Sequence, residues 1–285
     1  MLDTKDFEGY TPTWCPGCGD WGINAAVKRA FKTMNYDPSE ICIAFGIGCS
    51  GNMNDFLNAY AFHGLHGRAI PTAIGIKLAN HSLPVVVIAG DGDTYGEGGN
   101  HLLHLCRGNH DITLIIHDNG VYGLTTGQVA PTALHGTKSK STPEGMIERS
   151  ISPLAFLVSQ GATYVAQSFA ADIPHTQKMI EGALQHKGLS VVNVLQPCVT
   201  FNKINTYQYY IEKSYVLEPT YDPTDKQKAL ERAIEMDREK FPLGVIYQEH
   251  GLSPYHEQVV ALADDVPLIH KKRFTDFEKL YEEYI

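Results

Sequence analysis

Four of the six cysteines have a spacing that suits a metal centre. Cys15 and Cys18 form a C-x-x-C pair, Cys49 lies in a glycine-rich turn, and Cys198 follows an apolar run. Four thiolates can hold either a tetrahedral zinc ion or a [4Fe–4S] cluster. Structural zinc sites usually present two close pairs, whereas Cys49 and Cys198 are single, so the spacing favours a cluster only slightly.

A second set of polar residues suits a divalent cation. Asp91 and Asp93 belong to a Gly-Asp-Gly-Asp motif that follows the apolar run 83–89, and Asn119 ends the next apolar run. We expect Asp91 and Asn119 to lie side by side, because the ends of parallel strands meet at one edge of a sheet. Their oxygens suit Mg²⁺, which also binds phosphate. A helix starting near residue 99 would offer free N–H groups to a diphosphate.

The glycine-rich turn at residues 46–51 connects these two sets. It follows an apolar, strand-like run at residues 41–45 and contains Cys49. Glycine lets the backbone approach a ligand closely, and the carboxyl end of a strand opens into the binding crevice of an α/β sheet. We therefore expect this turn to contact both a cluster and a diphosphate cofactor.

The apolar pattern predicts alternating helices and strands. Apolar residues that recur every three or four positions indicate helices, and short continuous apolar runs indicate buried strands. The predicted helices cover residues 20–35, 69–81, 99–106, 153–159 and 172–187, and the predicted strands cover residues 41–45, 83–89, 112–117, 163–166 and 190–195. This alternation predicts an α/β fold whose open, mostly parallel sheet has helices on both faces. The polar residues 123–150 are predicted to form a functional loop.

The last part of the chain has a different character. Residues 201–217 are rich in tyrosine and show no clear period, and Thr224 and Gln227 fit a capping box that starts a further helix. We predict one α/β domain over residues 1–215 and a C-terminal extension over residues 216–285.

The composition excludes several classes of protein. A chain of 285 residues with 43% hydrophobic residues and 26 glycines fits a soluble α/β enzyme, and the net charge of −9 argues against a nucleic-acid partner. The longest apolar run, residues 83–90, is far shorter than the ~20 residues of a membrane helix. The first residues lack the features of a signal peptide, so we expect a cytoplasmic protein. Cys42 and Cys106 lie in apolar runs and are interpreted as buried small hydrophobic residues.

The motifs occur together and in the same order as in one known family. The chain carries Cys15-Pro-Gly-Cys-Gly, Gly48-Cys-Ser-Gly, His66-Gly-Arg, Gly90-Asp-Gly-Asp, Gly98-Gly-Asn-His, Asp118-Asn, Tyr122-Gly-Leu-Thr-Thr-Gly-Gln and Pro197-Cys. This combination resembles the β subunit of 2-oxoacid:ferredoxin oxidoreductases, which is the subunit that binds thiamine diphosphate. The combination is highly specific, although no single motif is.

The resemblance implies which residues bind which group. As ligands of a [4Fe–4S] cluster it implies Cys15, Cys18, Cys49 and Cys198. As ligands of Mg²⁺ it implies Asp91, Asn119 and the carbonyl oxygen of Val121. As the lining of the thiamine diphosphate site it implies Ile47, Gly48, Cys49, Ser50, His66, Gly92, Asp93, Gly123 and Leu124. Asp118 stands where many thiamine enzymes have an asparagine, a variation that fits this family.

The resemblance also implies a reaction. Members of the family decarboxylate a 2-oxoacid oxidatively, form an acyl-coenzyme A, and pass electrons singly through the cluster to ferredoxin. The pattern, which includes Thr142-Pro-Glu-Gly, is closer to 2-oxoglutarate enzymes, which form succinyl-CoA, than to pyruvate enzymes. We find no candidate for the glutamate that thiamine needs at its aminopyrimidine ring, and in the family the α subunit supplies it. We therefore expect an α–β pair that dimerises to α2β2.

Three other interpretations remain open at this point. The chain could be the β subunit of a pyruvate:ferredoxin oxidoreductase, which has the same cofactors. A non-oxidative thiamine decarboxylase needs no cluster, and the four cysteines argue against it. A zinc-stabilised, non-catalytic scaffold subunit is an alternative of another class, in which residues 90–93 are merely a turn.

Overall fold

An eight-stranded sheet organises the chain, of which the computed structural model describes residues 2–271, 276–282 and 284–285. The strands within these ranges are β1 (Cys42–Phe45), β2 (Tyr60–His63), β3 (Val85–Gly90), β4 (Thr113–Asp118), β5 (Val121–Tyr122), β6 (Gln128–Val129), β7 (Tyr164–Phe169), β8 (Ser190–Leu195), β9 (Ser214–Val216) and β10 (Phe241–Gln248). In this part of the chain the sheet order is β2-β1-β3-β4-β8-β7-β10-β9, and β5 pairs with β6 in a separate hairpin.

The sheet is mostly parallel, as the sequence predicts. The six strands from β2 to β7 in this order run parallel to one another. β10 is antiparallel to β7, and β9 is parallel to β10. The chain therefore reverses direction only where β10 joins the sheet, and the predicted fold class is confirmed.

The helices cover both faces of this sheet. Those in the described ranges are α1 (Asp20–Thr33), α2 (Met53–Phe56), α3 (Ala69–Ala79), α4 (Gly99–Gly108), α5 (Pro153–Gln160), α6 (Ile173–Gln185), α7 (Tyr207–Lys213), α8 (Lys226–Ala233), α9 (Tyr255–Gln258) and α10 (Phe277–Glu282). Successive strand residues point to opposite faces. Ile43 and Val86 therefore pack against α1 and α6, whereas Ala44 and Val87 pack with α3, α4, α5 and α8. Among the described helices, none has the length and apolar character needed to cross a bilayer.

The strand order creates a crevice at one edge of the sheet. The connection from β1 to β2 and the connection from β3 to β4 run towards opposite edges of the sheet, so a topological switch point lies between β1 and β3. In open α/β sheets such a switch point opens a crevice outside the carboxyl ends of the strands. The segments that begin at Gly46, Asp91 and Asn119 follow β1, β3 and β4 directly, so the sequence motifs lie around this crevice.

Two local features differ from the sequence pattern. The apolar pattern does not reveal α2 or the edge strand β2, whose four residues are all exposed. The predicted capping box at Thr224 and Gln227 is wrong, because Asp225 caps α8. Its Oδ1 accepts hydrogen bonds from the backbone N–H groups of Gln227 and Lys228, each at 3.1 Å. A carboxylate at the N-cap position satisfies free helix donors and also suits the helix dipole.

The tyrosine-rich segment is ordered by aromatic packing. Tyr210 of α7 is buried, and its ring centre lies 5.7 Å from that of Phe169 and 5.3 Å from that of Phe241. This packing fixes α7 against β7 and β10, and the chain continues directly into β9. The boundary between residues 215 and 216 therefore falls inside β9, and the division into a domain and an extension stays a prediction.

Candidate active site

The crevice at the switch point is a small cleft. Its lining consists of Ile47, Gly48, Cys49, Ser50, His66, Gly90, Asp91, Gly92, Asp93, Asn119, Val121, Tyr122, Gly123, Leu124 and Thr125. Every residue predicted to contact thiamine diphosphate or Mg²⁺ is among them, so the structure brings the whole predicted set together.

Asp91 is a buried carboxylate at the end of β3. Its Oδ2 accepts hydrogen bonds from the backbone N–H of Gly120, at 2.9 Å, and from the hydroxyl of Thr132. Burial and the neighbouring carboxyl group of Asp118 both raise the pKa of Asp91 above its usual range. A divalent cation would stabilise the ionised form of this pair, so the donor set fits Mg²⁺.

Asn119 lies beside Asp91 at the end of β4. Its Oδ1 accepts a hydrogen bond from the N–H of Val121, at 2.9 Å, and its Nδ2 donates to Gln196 Oε1, at 2.7 Å. The side chain is buried, so these two bonds fix its orientation in the cleft wall. Asp91, Asn119 and Val121 thus form the oxygen-rich side of the cleft.

Asp93 ties two separate segments to the cleft. Its Oδ1 accepts hydrogen bonds from the N–H groups of Ile47, at 3.2 Å, and Gly67, at 2.8 Å. The Nδ1 of His66 lies 2.6 Å from the same oxygen. Burial raises the pKa of Asp93, although the two N–H donors oppose this effect. Its carboxylate is therefore occupied in holding the turn after β1 and the loop of His66 in place.

Two glycines leave room that a side chain would fill. Gly48 has a φ of +128°, which L side chains rarely adopt, and the space where its Cβ would stand is open. A Cβ on Gly123 would lie 3.4 Å from Cys49 Sγ and 3.6 Å from Cys198 Sγ. Both glycines line the cleft, so the backbone forms a cradle there and one of its walls faces two sulfur atoms.

Hydrogen bonds bring together the three segments that carry the four predicted cluster ligands. Trp14 Nε1 donates a hydrogen bond to the carbonyl of Cys49 at 2.8 Å, which attaches the C-x-x-C segment to the turn after β1. The backbone N–H of Gly19 donates to the carbonyl of Pro197 at 3.1 Å, which attaches the same segment to the end of β8. Burial raises the pKa of Cys49 to about 12, and the neighbouring Asp20, Cys198 and Cys15 add to this effect.

Cys18 has two polar neighbours. Its thiol donates to Asp20 Oδ2 at 3.2 Å, and its sulfur accepts from Gln196 Nε2 at 3.2 Å. Burial and the charge of Asp20 raise the pKa of this thiol far above its usual value. Asp20 Oδ1 in turn lies 2.6 Å from His117 Nδ1, and both side chains are almost wholly buried. The first turn of α1 is thus joined to β4 next to a predicted ligand.

No group of three or more His, Cys, Asp or Glu side chains within the described ranges is placed to hold a metal ion. Such a compact group is what a structural zinc ion requires. In a cubane cluster each thiolate bonds a different iron atom, so its ligands stand further apart than those of a single ion. The exposed Cys15, the half-buried Cys49 and the buried Cys18 and Cys198 remain the predicted cluster ligands.

A larger cavity of about 530 Å³ lies next to Asp118. Its lining includes Thr132, Arg149, Tyr210 and Glu239. The predicted cofactor ligands Asp91, Asn119 and the four cysteines do not line it. We therefore assign the candidate site to the smaller cleft.

The sequence pattern does not indicate two residues of the site. Thr132 comes from the predicted functional loop, and its hydroxyl reaches Asp91. Gln196 follows β8, and it contacts Asn119 and Cys18. The position of Gln196 directly after a buried strand is the signal that could have drawn attention to it. Its partners could not be predicted, because the sequences of β4 and β8 do not show that these two strands are neighbours in the sheet.

The fold and the site define a thiamine diphosphate enzyme. The family model of the thiamine pyrophosphate enzyme C-terminal TPP binding domain matches residues 34–194, and that of the C-terminal region of the pyruvate ferredoxin oxidoreductase beta subunit matches residues 198–264. The chain is 41% identical over 292 residues to the 2-oxoacid:ferredoxin oxidoreductase subunit beta of Saccharolobus solfataricus, and the match covers 95% of both chains. It belongs to the family of 2-oxoacid:ferredoxin oxidoreductase β subunits, as the motifs predict.

Two further relatives are named for 2-oxoglutarate. The 2-oxoglutarate synthase subunit KorB of Archaeoglobus fulgidus is 41% identical over 67% of this chain and 71% of its own length. The 2-oxoglutarate:ferredoxin oxidoreductase of Magnetococcus marinus, solved with 2-oxoglutarate, coenzyme A and succinyl-CoA bound, superimposes with a TM-score of 0.91 at 35% identity. That match covers 99% of this chain and 96% of the other.

Proposed function

We propose that this chain is the thiamine diphosphate subunit of a 2-oxoglutarate:ferredoxin oxidoreductase and carries one [4Fe–4S] cluster. The observation that supports the proposal is that one wall of the cofactor cleft also faces two cysteine sulfur atoms. Cys49 and Gly123 line the cofactor cleft, and the sulfur atoms of Cys49 and Cys198 both face Gly123. An oxidative decarboxylation that delivers electrons one at a time needs its acceptor close to the cofactor, and this arrangement supplies that closeness.

The residues around the cleft divide into proposed metal ligands and a residue that positions the backbone. Asp91, Asn119 and the carbonyl of Val121 would hold Mg²⁺, which would bind the diphosphate oxygens. When bound, thiamine diphosphate supplies the electron sink that makes decarboxylation possible. Asp93 fixes the turn after β1 and the loop of His66, so the backbone that faces the cofactor is positioned before binding.

The names of the relatives and the ligands of the solved neighbour support a substrate and a partner subunit. Relatives named for 2-oxoglutarate, together with a neighbour solved with 2-oxoglutarate, coenzyme A and succinyl-CoA, support oxidation of 2-oxoglutarate to succinyl-CoA and CO2. The relatives named as subunit beta support an α subunit as partner. An α2β2 assembly, a ferredoxin as electron acceptor and a cytoplasmic location complete the proposal.

The test is metal analysis followed by a substrate assay. The chain is purified without oxygen together with its α partner, and iron, sulfide and zinc are measured. About four iron and four sulfide per chain are expected for one cubane cluster. Coenzyme A-dependent reduction of ferredoxin should be faster with 2-oxoglutarate than with pyruvate. Zinc in place of iron would overturn the electron-transfer role, and a preference for pyruvate would overturn the choice of substrate.

A further inference from the structure

Gln196 stands between the two proposed cofactor sites. β4 and β8 are parallel neighbours in which Asp118 pairs with Leu195, so the next residues along, Asn119 and Gln196, emerge side by side. The backbone N–H of Gln196 donates to the carbonyl of Asp118 at 2.8 Å. The side chain is 1% exposed, so its amide group depends on protein partners for its hydrogen bonds.

The two ends of this amide point to different sites. Oε1 accepts a hydrogen bond from Asn119 Nδ2 at 2.7 Å, on the side of the proposed Mg²⁺ ligands. Nε2 donates to Cys18 Sγ at 3.2 Å, on the side of the proposed cluster ligands, and lies 3.3 Å from the carbonyl oxygen of Pro197. One side chain therefore contacts a predicted ligand of each group.

The hydrogen bond between Gln196 and Asn119 fixes the orientation of the Asn119 side-chain amide. Because Nδ2 is held by Gln196, Oδ1 is turned to the opposite side, where it accepts from the N–H of Val121. A metal needs the oxygen and not the nitrogen of an asparagine. Residues that orient a metal ligand in this way typically change metal affinity by about 10–100-fold when they are replaced.

The hydrogen bond from Gln196 to Cys18 affects the negative charge on the Cys18 sulfur. An N–H group directed at a ligand sulfur stabilises negative charge on it, and hydrogen bonds to the sulfurs help to set the reduction potential of a cluster. The other polar neighbour of Cys18 is Asp20, whose carboxylate has the opposite effect. When Cys18 binds iron its thiol proton is lost, so Gln196 is the side chain that donates a hydrogen bond to this sulfur.

We propose that Gln196 is a positioning residue that serves both groups: it orients Asn119 for the divalent cation and raises the reduction potential of the cluster through Cys18. The inference rests on the proposed function, because it assumes a cluster at Cys18 and a cation at Asn119. It assigns a role to a residue outside both predicted ligand sets.

Two variants separate the two contacts. Gln196→Met keeps the length of the side chain and removes both hydrogen bonds. We expect weaker binding of Mn²⁺ in the presence of thiamine diphosphate, by roughly 10–100-fold, and a more negative cluster potential. Gln196→Glu keeps the acceptor for Asn119 and removes the donor to Cys18. In its carboxylate form it should bind Mn²⁺ like the wild type, because the acceptor for Asn119 remains, and it should have a more negative potential.

The matched control is Gln167→Met. Gln167 of β7 is a fully buried glutamine with the same kind of contacts, since its Nε2 donates to the carbonyl of Pro242 and its Oε1 accepts from Asn193. It contacts neither predicted ligand set. A loss of packing alone should therefore lower the stability of Gln196→Met and Gln167→Met to a similar extent. A change in the cluster potential is expected only in Gln196→Met.

The measurements are the iron content, the midpoint potential from EPR-monitored redox titration, and Mn²⁺ affinity, all on the complex with the α partner. An unchanged potential or an unchanged Mn²⁺ affinity in Gln196→Met would overturn the inference while leaving the proposed function intact. A wild-type complex without iron and sulfide would instead reject the proposed function, and the inference with it. If Gln196→Met does not retain iron, an unchanged potential in Gln196→Glu would overturn the inference.

Discussion

At the scale of single residues, Asp93 has a structural role that its sequence motif does not show. The motif suggests an acid in direct contact with a cofactor. The structure instead uses its carboxylate to receive two backbone N–H groups, from Ile47 and Gly67, and to hold His66. The residue shapes the cleft, because it fixes two segments that contribute to the lining.

Replacing Asp93 by alanine should therefore affect stability as well as cofactor binding. Two backbone N–H groups lose their acceptor, and a buried donor without a partner costs about 1–3 kcal/mol. Urea denaturation of the variant should give a free energy of unfolding lower by about this amount. The exposed Asp265 provides the control, since Asp265→Ala should leave stability unchanged. Equal stability of the two variants would contradict this role of Asp93.

The cysteines should differ in reactivity according to their exposure. Cys42, predicted to be buried, is only half-buried, because it begins the strand β1. In the anaerobic holoprotein the four proposed ligands are bound, so alkylation at pH 8 should label Cys42 faster than any other cysteine. Cys106 is 2% exposed, and burial raises its pKa to about 12, so it should stay unlabelled even at pH 9.

After the cluster is removed, the exposed Cys15 should be alkylated before the buried Cys18 and Cys198. Peptide mapping by mass spectrometry after timed labelling gives the order. Rapid labelling of Cys15 in the holoprotein would show that this thiol is not a ligand.

At the scale of secondary-structure elements, a buried pair connects α1 to the centre of the sheet. Asp20 begins α1, and His117 is the penultimate residue of β4. Their side chains approach to 2.6 Å with almost no exposure to solvent. The pair holds the helix that follows the C-x-x-C segment at a fixed position relative to the strand that leads to Asn119.

Replacing His117 by leucine should destabilise the protein strongly. It removes the His117 partner of the buried Asp20 Oδ1, and a buried polar group that loses its hydrogen-bond partner typically costs about 1–3 kcal/mol, or more when the group is charged. Denaturant unfolding followed by circular dichroism measures the loss.

The comparison is Lys77→Met, because Lys77 pairs at 2.7 Å with Asp111, whose side chain is 30% exposed and stays accessible to water. The loss at Lys77 should be smaller. A loss at His117 no greater than that at Lys77 would show that burial does not control the effect.

At the scale of the whole molecule, the sequence predicts which residues come together at the cleft better than it predicts the elements around them. The positions of Asp91 and Asn119 are predictable, because each directly follows a buried apolar strand and parallel strands end at one edge. The partner of Asn119 is not predictable, since the adjacency of β4 and β8 depends on tertiary packing. β2 gives no apolar signal because its residues are exposed, and α7 gives no clear period because aromatic contacts, which involve Tyr210, order it.

The isolated chain should not catalyse the complete reaction. In the described part of the chain, the acidic residues that line the cleft are Asp91 and Asp93, with no glutamate among them. Thiamine diphosphate needs a carboxylate at its aminopyrimidine ring, and the resemblance assigns this group to the α subunit. The purified chain should therefore be inactive with 2-oxoglutarate, and adding the α partner should restore ferredoxin reduction. Full activity of the chain alone would place the missing acid within it.

The hydrogen bond between Gly19 and Pro197 has a consequence for biosynthesis. Cys15 and Cys18 leave the ribosome early, whereas Cys198 follows only after most of the chain has been made. At about 5–20 residues per second, this separation lasts on the order of ten to forty seconds. The thiols of Cys15 and Cys18 must stay reduced throughout that interval. Iron delivery to the proposed cluster would therefore be completed only after Cys198 has emerged, so the last of the four cysteines would determine when maturation can begin.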